Sequence, residues 1–240
     1  MRSLGAQHVT VTGSLKFDLK PDASQTAAAR EWRSKLGRPV ILIASTREGE
    51  EVRFAKALLE HRALCRRAHV FVVPRHPQRF DEARAAFEAE GFKVVLRSKL
   101  RDAGSIPETA DIVLGDSMGE MSFYCALAAA TAMGGSFENC GSQNVIEPAM
   151  AGSPVIVGPS TYNFEKIIRD GIAHGAMRQV SDPAGALELF EYWLDHSDEA
   201  AAAGEAAKRF ADEYAGATNR MMSILDKLWQ NARKLESRMS

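Results

Sequence analysis

The chain has 240 residues and a formal net charge of −1, so it is long enough for one large domain or two small ones. A charge so close to zero argues against a nucleic-acid binder that works by bulk electrostatics. The three cysteines, Cys65, Cys125 and Cys140, are odd in number and lack metal-ligand spacing, which favours a reduced compartment and metal-independent chemistry without a cofactor.

The first 22 residues precede any helical pattern. Residues 7–18 read as a strand and a turn, and we expect residues 1–22 to be a linker or strand that enters the domain in mid-architecture. The first residues lack the apolar segment of a signal peptide, and no stretch approaches the roughly 20 apolar residues that cross a bilayer. The chain itself is therefore predicted to be soluble.

Seven short β-branched runs alternate with longer alanine-rich and charged segments, which is typical of a parallel sheet flanked by helices. We predict a Rossmann-like α/β domain over residues 23–182. Ligands bind beyond the carboxyl ends of such strands, so the loops after the strands share one edge. The predicted strands are Pro39–Ala44, His69–Val73, Phe92–Leu96, Asp111–Leu114, Thr131–Met133, Pro154–Val157 and Ala176–Val180.

Two helical faces follow from the apolar spacing. The segment after the first strand places Val52, Ala55, Leu58 and Leu59 on one face. Residues 183–240 read as a helical region that packs on the domain, and its last helix carries an apolar stripe. That stripe is either ordinary core or a surface that covers a neighbouring domain. Its residues are Met221, Ile224, Leu225, Leu228 and Trp229.

The loop after the first strand, residues 44–51, begins with hydroxyl groups and ends with acids. Ser45 and Thr46 either cap the following helix or bind a phosphate or a substrate carboxylate. After the second strand, Arg75, His76 and Arg79 lie between prolines that stiffen the turn. They form either a solvated basic loop or a binding site for an acidic substrate, in which the imidazole donates a proton or hydrogen bond.

Two further loops follow the fourth and sixth strands. The turn at residues 115–121 is either an Asp-capped helix start or a site where Met118 lies against a base whose edge the backbone reads. Asn163 either caps a helix or contacts ligand. The basic residues Lys93, Arg97, Lys99 and Arg101 are expected to form a solvated face or to touch anionic lipid headgroups.

The loop at residues 134–148 has the composition of a backbone anion cradle. Gly134 and Gly135 allow close approach of a ligand, and free N–H groups at a helix start attract negative charge. The alternative is a strand-to-helix connection that binds nothing. Glu147 favours the first interpretation, because a carboxylate beside a phosphate has a purpose if it pairs with ribose hydroxyls. A nucleotide satisfies both features.

Taken together and in order, five loop sequences closely resemble those of the lipid A 3-deoxy-D-manno-octulosonic acid (Kdo) transferases. The segment Val-Thr-Gly-Ser-Leu-Lys-Phe-Asp at residues 11–18 also resembles the linker into that family's second domain. The five loops are Ala-Ser-Thr-Arg-Glu-Gly-Glu-Glu (44–51), Val-Pro-Arg-His-Pro-Gln-Arg-Phe (73–80), Gly-Asp-Ser-Met-Gly-Glu-Met (115–121), Gly-Gly-Ser-Phe with Asn-Val-Ile-Glu-Pro (134–148) and Gly-Pro-Ser-Thr-Tyr-Asn-Phe (158–164).

The resemblance implies a GT-B glycosyltransferase of two Rossmann-like domains, in which the C-terminal domain binds CMP-Kdo. The family transfers Kdo with inversion to a lipid A precursor at the cytoplasmic face of the bacterial inner membrane, in lipopolysaccharide biosynthesis. The match covers only the family's second half. The acceptor domain, with its membrane anchor and its glutamate general base, has no counterpart here, so we expect a donor-binding half that carries no catalytic residue and is inactive alone.

Specific roles follow for the residues of these loops. Glu147 is assigned to the ribose, Met118-Gly119-Glu120 to cytosine, and Ser45-Thr46 to the sugar or its carboxylate. The departing phosphate is assigned to the glycine loop, to residues 141–144, to Arg75 or Arg79, and to Asn163. The full set is Ser45, Thr46, Arg75, His76, Arg79, Met118, Gly119, Glu120, Gly134, Gly135, Ser136, Gln143, Asn144, Glu147 and Asn163.

One position departs from the family, which usually has Gly-Gly-His-Asn where this chain has Gly141-Ser142-Gln143-Asn144. The proton that the family's histidine can donate is absent at this position, although Gln143 still offers an amide N–H. Two other interpretations stay open. The chain is a non-catalytic nucleotide-binding or interaction module without an acceptor domain, or it is a nucleotide-sugar epimerase of the same architecture.

Overall fold

A computed structural model describes the backbone of residues 2–239 and the side chains of residues 3–230 and 233. The strands are β1 (Val40–Thr46), β2 (His69–Pro74), β3 (Val94–Leu96), β4 (Ile112–Leu114), β5 (Ala130–Met133), β6 (Val155–Val157) and β7 (Met177–Gln179). The helices are α1 (Ala23–Lys35), α2 (Glu50–Glu60), α3 (Leu64–Arg67), α4 (Phe80–Ala89), α5 (Met121–Leu127), α6 (Ile146–Met150), α7 (Glu165–Ala173), α8 (Pro183–Asp195), α9 (Ser197–Tyr214) and α10 (Ala217–Met239). Short 3-10 helices lie at Arg2–Leu4, Leu15–Asp18, Pro77–Arg79, Arg97–Lys99 and Ala103–Ser105.

The seven strands form one parallel sheet in the order β3-β4-β2-β1-β5-β6-β7. Each strand was predicted from the sequence, and the helix-flanked, Rossmann-like α/β fold is confirmed. The central strand β1 pairs with β2 on one side and with β5 on the other. The chain crosses from one half of the sheet to the other between β4 and β5, so the loops after β1 and β5 diverge.

The sheet forms because its inner strands β1, β4, β5 and β6 are buried on both faces. All seven residues of β1 are buried, as expected for a central parallel strand covered by helices on each side. Ile41 and Ile43 pack in one core cluster with Phe54 of α2, Phe87 of α4 and Phe190 of α8. Burying a side chain of this size contributes about 1.5–3 kcal/mol, so this cluster holds three helices against one face.

Contacts divide the chain into two compact units, residues 21–210 and residues 1–20 with 211–240. The sequence placed the divisions at residues 22 and 182. Helix α8 belongs with the sheet because Leu187 and Phe190 are buried in its core cluster. Asp182 caps this helix by accepting the N–H of Gly185 at 2.9 Å.

The smaller unit contains no strand in residues 2–20, so the prediction of a strand at residues 7–18 was wrong. The segment lacks a neighbouring strand with which to pair, and it contacts helix α10 instead. The carboxylate of Asp18 accepts the N–H groups of Gly216 and Thr218, both at 2.5 Å, at the start of that helix. Arg220 donates to the carbonyl of Thr12 at 2.8 Å.

The C-terminal region is helical, as predicted. Part of its apolar stripe is solvent-exposed: the exposed fractions are 50% for Leu225, 60% for Leu228 and 63% for Trp229. Ordinary core packing is therefore the wrong interpretation for these three side chains. Among the residues that the structure describes, no helix combines the length and apolar character required to span a bilayer.

Candidate functional site

A cavity of about 350 Å³ opens at the carboxyl ends of β1, β2, β4 and β5. It lies where the sheet order changes direction, which is the usual ligand crevice of an open parallel sheet. Eight of the predicted binding residues line it, namely Ser45, Arg75, Met118, Gly119, Glu120, Gln143, Asn144 and Glu147. The other lining residues, which the sequence did not single out as binding residues, are Val73, Pro74, Ser117, Met121, Tyr124 and Met133.

The end of β1 is shaped by an unusual backbone at Ser45. Its φ of 55° lies in the left-handed region, and the register between β1 and β2 shifts between Ala44 and Thr46. A Cβ on Gly134 would lie 2.4 Å from the carbonyl oxygen of Ser45, so only glycine fits there. At this point Ser45 lines the cavity and Thr46 does not.

Arg75 supplies positive charge on one wall of the cavity. Its N–H donates to the carbonyl of Thr46 at 3.0 Å, which fixes the start of the loop after β2. Its exposed guanidinium donates from Nε to Oε1 of Gln143 at 3.3 Å. Burial raises the pKa of Glu147, and the charge of Arg75 partly opposes that rise. Arg75, Gln143 and Glu147 thus form a polar group that reaches across the cavity.

Glu120 is fixed on the opposite wall. Its carboxylate accepts hydrogen bonds from the hydroxyl of Ser117 and, at 3.4 Å, from that of Tyr124. It also pairs with Arg97 at 3.4 Å. Burial raises the pKa of Tyr124, which keeps the phenol neutral as a donor. A carboxylate held by three partners presents a defined orientation beside Met118, which is 52% exposed.

Arg97 is a correction to the sequence analysis. Instead of joining a solvated basic face, its guanidinium lies over the rings of Trp32 and Phe123, at 4.7 and 4.8 Å from their centroids. Its side chain is 16% exposed. The sequence shows alternating basic residues at this point, and only the tertiary structure brings α1 and α5 against one of them.

Thr46 and Arg79 do not line the cavity, and both bind the buried carboxylate of Glu51. The Thr46 hydroxyl donates at 2.8 Å and Arg79 donates from Nη2 at 2.9 Å. Arg79 also pairs with Glu82 at 2.9 Å. The structure therefore corrects the placement of these two residues: they satisfy a buried acid because that acid has no water to solvate it.

His76 also lies outside the cavity lining. Its Nε2 is 2.8 Å from Nη1 of Arg47, and a guanidinium can only donate, so the imidazole is the acceptor. Desolvation lowers the pKa of His76, and the charges of Arg47, Arg75 and Arg79 lower it further. This lowering disfavours the protonated ring, while Nδ1 keeps an N–H that can donate a hydrogen bond.

The glycine loop is the largest correction. The N–H of Gly134 donates to the carbonyl of Ala44 at 2.7 Å, and that of Gly135 donates to the carboxylate of Glu50 at 2.8 Å. Ser136 is fully buried, and its hydroxyl donates to the carbonyl of Met133. The backbone does form an anion cradle, but a side chain of the chain itself fills it.

None of the three helix-cap alternatives raised for these loops holds. Helix α2 begins after Gly49 without a side-chain cap, and α5 begins after Glu120. Helix α7 follows Phe164, while the amide of Asn163 donates to the carbonyl of Cys140 at 2.9 Å. Asn163 thus holds residues 140–141 and does not line the cavity.

The part of the chain that the structure describes contains no cluster of three or more His, Cys, Asp or Glu side chains suited to a metal ion. The cavity's chemistry is that of one guanidinium, two carboxylates, side-chain amides and hydroxyls around apolar walls. Such a set can hydrogen-bond a polar ligand that has one flat apolar portion, one anionic group and hydroxyls.

No protein-family model matches the chain. It is 44% identical over 225 residues to the 3-deoxy-D-manno-octulosonic acid transferase of Bordetella pertussis, covering 92% of this chain and 52% of that protein. It is 30% identical over 226 residues to the protein of the same name from Haemophilus influenzae, covering 91% and 51%. The chain thus spans about half the length of the curated relatives it matches.

Among solved structures, the chain is similar to the C-terminal CMP-Kdo binding domain of WaaA from Acinetobacter baumannii, with a TM-score of 0.73 and 27% identity. The match covers 79% of this chain and 98% of that domain. The family resemblance drawn from the five loops is confirmed, as is the fold of a GT-B C-terminal domain.

Proposed function

We propose that this chain, which corresponds to the C-terminal half of a 3-deoxy-D-manno-octulosonic acid transferase, binds CMP-Kdo in the cavity at the carboxyl ends of β1, β2, β4 and β5. It is the donor half of an inverting glycosyltransferase that adds Kdo to a lipid A precursor in lipopolysaccharide biosynthesis. The observation that carries the proposal is the convergence of Arg75, Glu120, Gln143 and Glu147 on one cavity in a fold that matches a CMP-Kdo binding domain.

The phosphate of the donor binds beside Arg75 in this proposal. Arg75 has the exposed guanidinium of the cavity, and guanidinium groups pair well with phosphate oxygens. Ser45, Gln143 and Asn144 supply further hydrogen-bond donors. Negative charge grows on the phosphate as the bond to the Kdo C2 carbon breaks. Donors already held in place stabilise that charge without reorganising during the reaction.

The nucleoside occupies the remainder of the cavity. The cytosine ring lies against Met118, with the turn through Gly119 and Glu120 along its edge. Gly119 has a φ of 83°, and a Cβ added to it would meet no atom within 4 Å, so the backbone is open to a flat base. Glu147 lines the cavity within range of the charge of Arg75. In this proposal its side chain hydrogen-bonds the ribose hydroxyls.

We assign the general base, the lipid acceptor site and the contact with the cytoplasmic face of the inner membrane to the other half of the full-length relatives. Catalysis needs a group that removes the proton of the acceptor hydroxyl. The exposed side chains of Leu225, Leu228 and Trp229 on α10 are proposed as a surface for that half. Size-exclusion chromatography of the chain with and without the N-terminal half of a relative tests the contact. Unchanged elution would contradict it.

Calorimetry tests the donor assignment directly. We expect CMP to bind with at least about tenfold higher affinity than UMP or AMP, without added metal. Glu147→Ala is expected to weaken CMP binding by about 1–2 kcal/mol, through loss of a charge-assisted hydrogen bond to ribose. Glu60→Gln, an exposed acid on α2, is the matched control and should bind CMP like the original chain.

Equal affinity for the three nucleotides would refute the base assignment. Unchanged CMP binding by Glu147→Ala would refute the role of that residue alone. Turnover of UDP-sugars by the isolated chain would favour the epimerase interpretation over a donor-binding half.

A further inference from the structure

Glu50, the first residue of α2, carries a buried carboxyl group. Its side chain is fully inaccessible to solvent. Within the described residues, no Lys, Arg or His forms an ion pair with it. An isolated buried charge is costly unless hydrogen bonds compensate for the lost water. Burial raises the pKa of Glu50, and hydrogen bonds from the backbone oppose that rise.

Four N–H groups donate to the Glu50 carboxylate. One oxygen accepts from Arg47 at 2.7 Å and Gly135 at 2.8 Å, and the other accepts from Phe137 at 2.9 Å and Glu138 at 3.3 Å. Three of these donors belong to the loop after β5, while Glu50 itself is the first residue of α2. One side chain therefore fastens two loops that are about 85 positions apart in the sequence.

The fastened loop in turn holds one wall of the cavity. The carbonyl of Gly135 accepts the N–H of Ser142 at 2.8 Å, and the carbonyl of Gly134 accepts the N–H of Gln143 at 2.9 Å. Gln143 and Asn144 line the cavity. A continuous set of hydrogen bonds thus runs from Glu50 through the glycine loop to the residues that face the ligand.

We infer that Glu50 is a positioning residue for the donor cavity: its carboxylate serves as an internal anion in the glycine-loop cradle and fixes the wall that carries Gln143 and Asn144. The inference rests on the proposed function and deepens it. The ligand's phosphate does not enter the cradle, because Glu50 already occupies the N–H groups that a phosphate would need. Glu50 acts on the ligand only through the loop that it holds.

Glu50→Gln tests this role, because an amide places an NH₂ group against two backbone donors and leaves the loop unfastened. We expect CMP to bind the folded variant at least about tenfold more weakly, and the ratio of CMP affinity to cytidine affinity to fall. The proposed cytosine contacts at residues 118–120 lie in the loop after β4. They therefore do not depend on the loop after β5 that Glu50 holds. The ¹⁵N amide signals of Gln143 and Asn144 should also shift.

The matched control is Glu51→Gln, which disturbs a neighbouring buried carboxylate whose partners, Thr46 and Arg79, lie outside the cavity. It should lower stability and leave both the CMP-to-cytidine ratio and the two amide signals in place. A purely structural role for Glu50 predicts the same outcome for both variants. Equal CMP affinity of folded Glu50→Gln and the original chain would overturn the inference.

A measurement on the unmodified chain decides the matter if Glu50→Gln does not fold. Amide hydrogen exchange at Gly135, Phe137 and Glu138 is expected to stay equally slow when CMP saturates the chain. Loss of that protection, with large shifts of the three amide signals, would show that the phosphate displaces Glu50 and would overturn the inference. Failure of the unmodified chain to bind CMP at all would instead refute the proposed function.

Discussion

Gly134→Ala is expected to separate the two interpretations of the glycine loop. The added Cβ would lie 2.4 Å from the carbonyl oxygen and 2.6 Å from the carbonyl carbon of Ser45. An ordinary contact is at least 3.4 Å, so the ends of β1 and β5 must move apart by about 1 Å. Overpacking against backbone typically costs about 1–3 kcal/mol. The 2.7 Å bond from Gly134 to Ala44 is strained as well, which adds about 1 kcal/mol.

The variant should therefore lose about 3 kcal/mol of unfolding free energy in urea, measured without ligand. Gly37→Ala is the control, because its added Cβ has no atom within 4 Å and its φ is not in the left-handed region. It should unfold within about 0.5 kcal/mol of the original chain. If Gly134→Ala were as stable as that control and only lost CMP affinity, the glycine would serve ligand approach, and the packing argument would be wrong.

Two further predictions concern stability. Burial and the charge of Arg38 lower the pKa of His69 from 6.5 to about 4. Between these two pH values the unfolded chain binds more protons than the folded chain. The folded state therefore loses stability as the pH falls from 6.5 to about 4. In urea unfolding measured across this pH range, His69→Gln should lose about 1–2 kcal/mol less unfolding free energy than the original chain, after allowing for solvent screening of a half-buried ring. The same pH dependence of unfolding free energy in both proteins would contradict this prediction. Ser142 has a φ of 70°, so Ser142→Gly should be about 1 kcal/mol more stable than Ser142→Ala, and the reverse order would refute the strain.

The sheet was predictable because its strands are short apolar runs that need no tertiary context. The buried faces of the helices were less predictable from the sequence. Ala55 and Leu58 are buried as expected, but Val52 and Leu59 are 45% and 41% exposed, and Phe54 packs in the core instead. Glu50 and Glu51 at the start of α2 are both buried. The helix therefore turns a different face to the core from the one that its apolar spacing predicts. Acids in a first turn normally face solvent, so no periodicity rule predicts this.

The cavity was predicted where residues follow a strand directly and missed where backbone geometry decides. Ser45 and Thr46 are adjacent, and only Ser45 lines the cavity; the left-handed backbone of Ser45 and the register shift between Ala44 and Thr46 give no signal in the sequence. The sequence analysis missed Tyr124, since a phenol hydroxyl gives no sequence signal for its partner. Arg97 was misplaced because its aromatic neighbours come from two distant segments.

The filled cradle changes the electrostatics expected for the donor phosphate. The backbone N–H groups of Gly135, Phe137 and Glu138 already bind Glu50, so the phosphate depends more on side chains. Glu120 is paired with Arg97, which reduces the repulsion that this carboxylate exerts on an anion. Arg75 is the guanidinium on the cavity lining and supplies positive charge beside the phosphate. The sequence predicted that N–H groups of this loop bind a negatively charged group, and in the structure they bind the carboxyl group of Glu50.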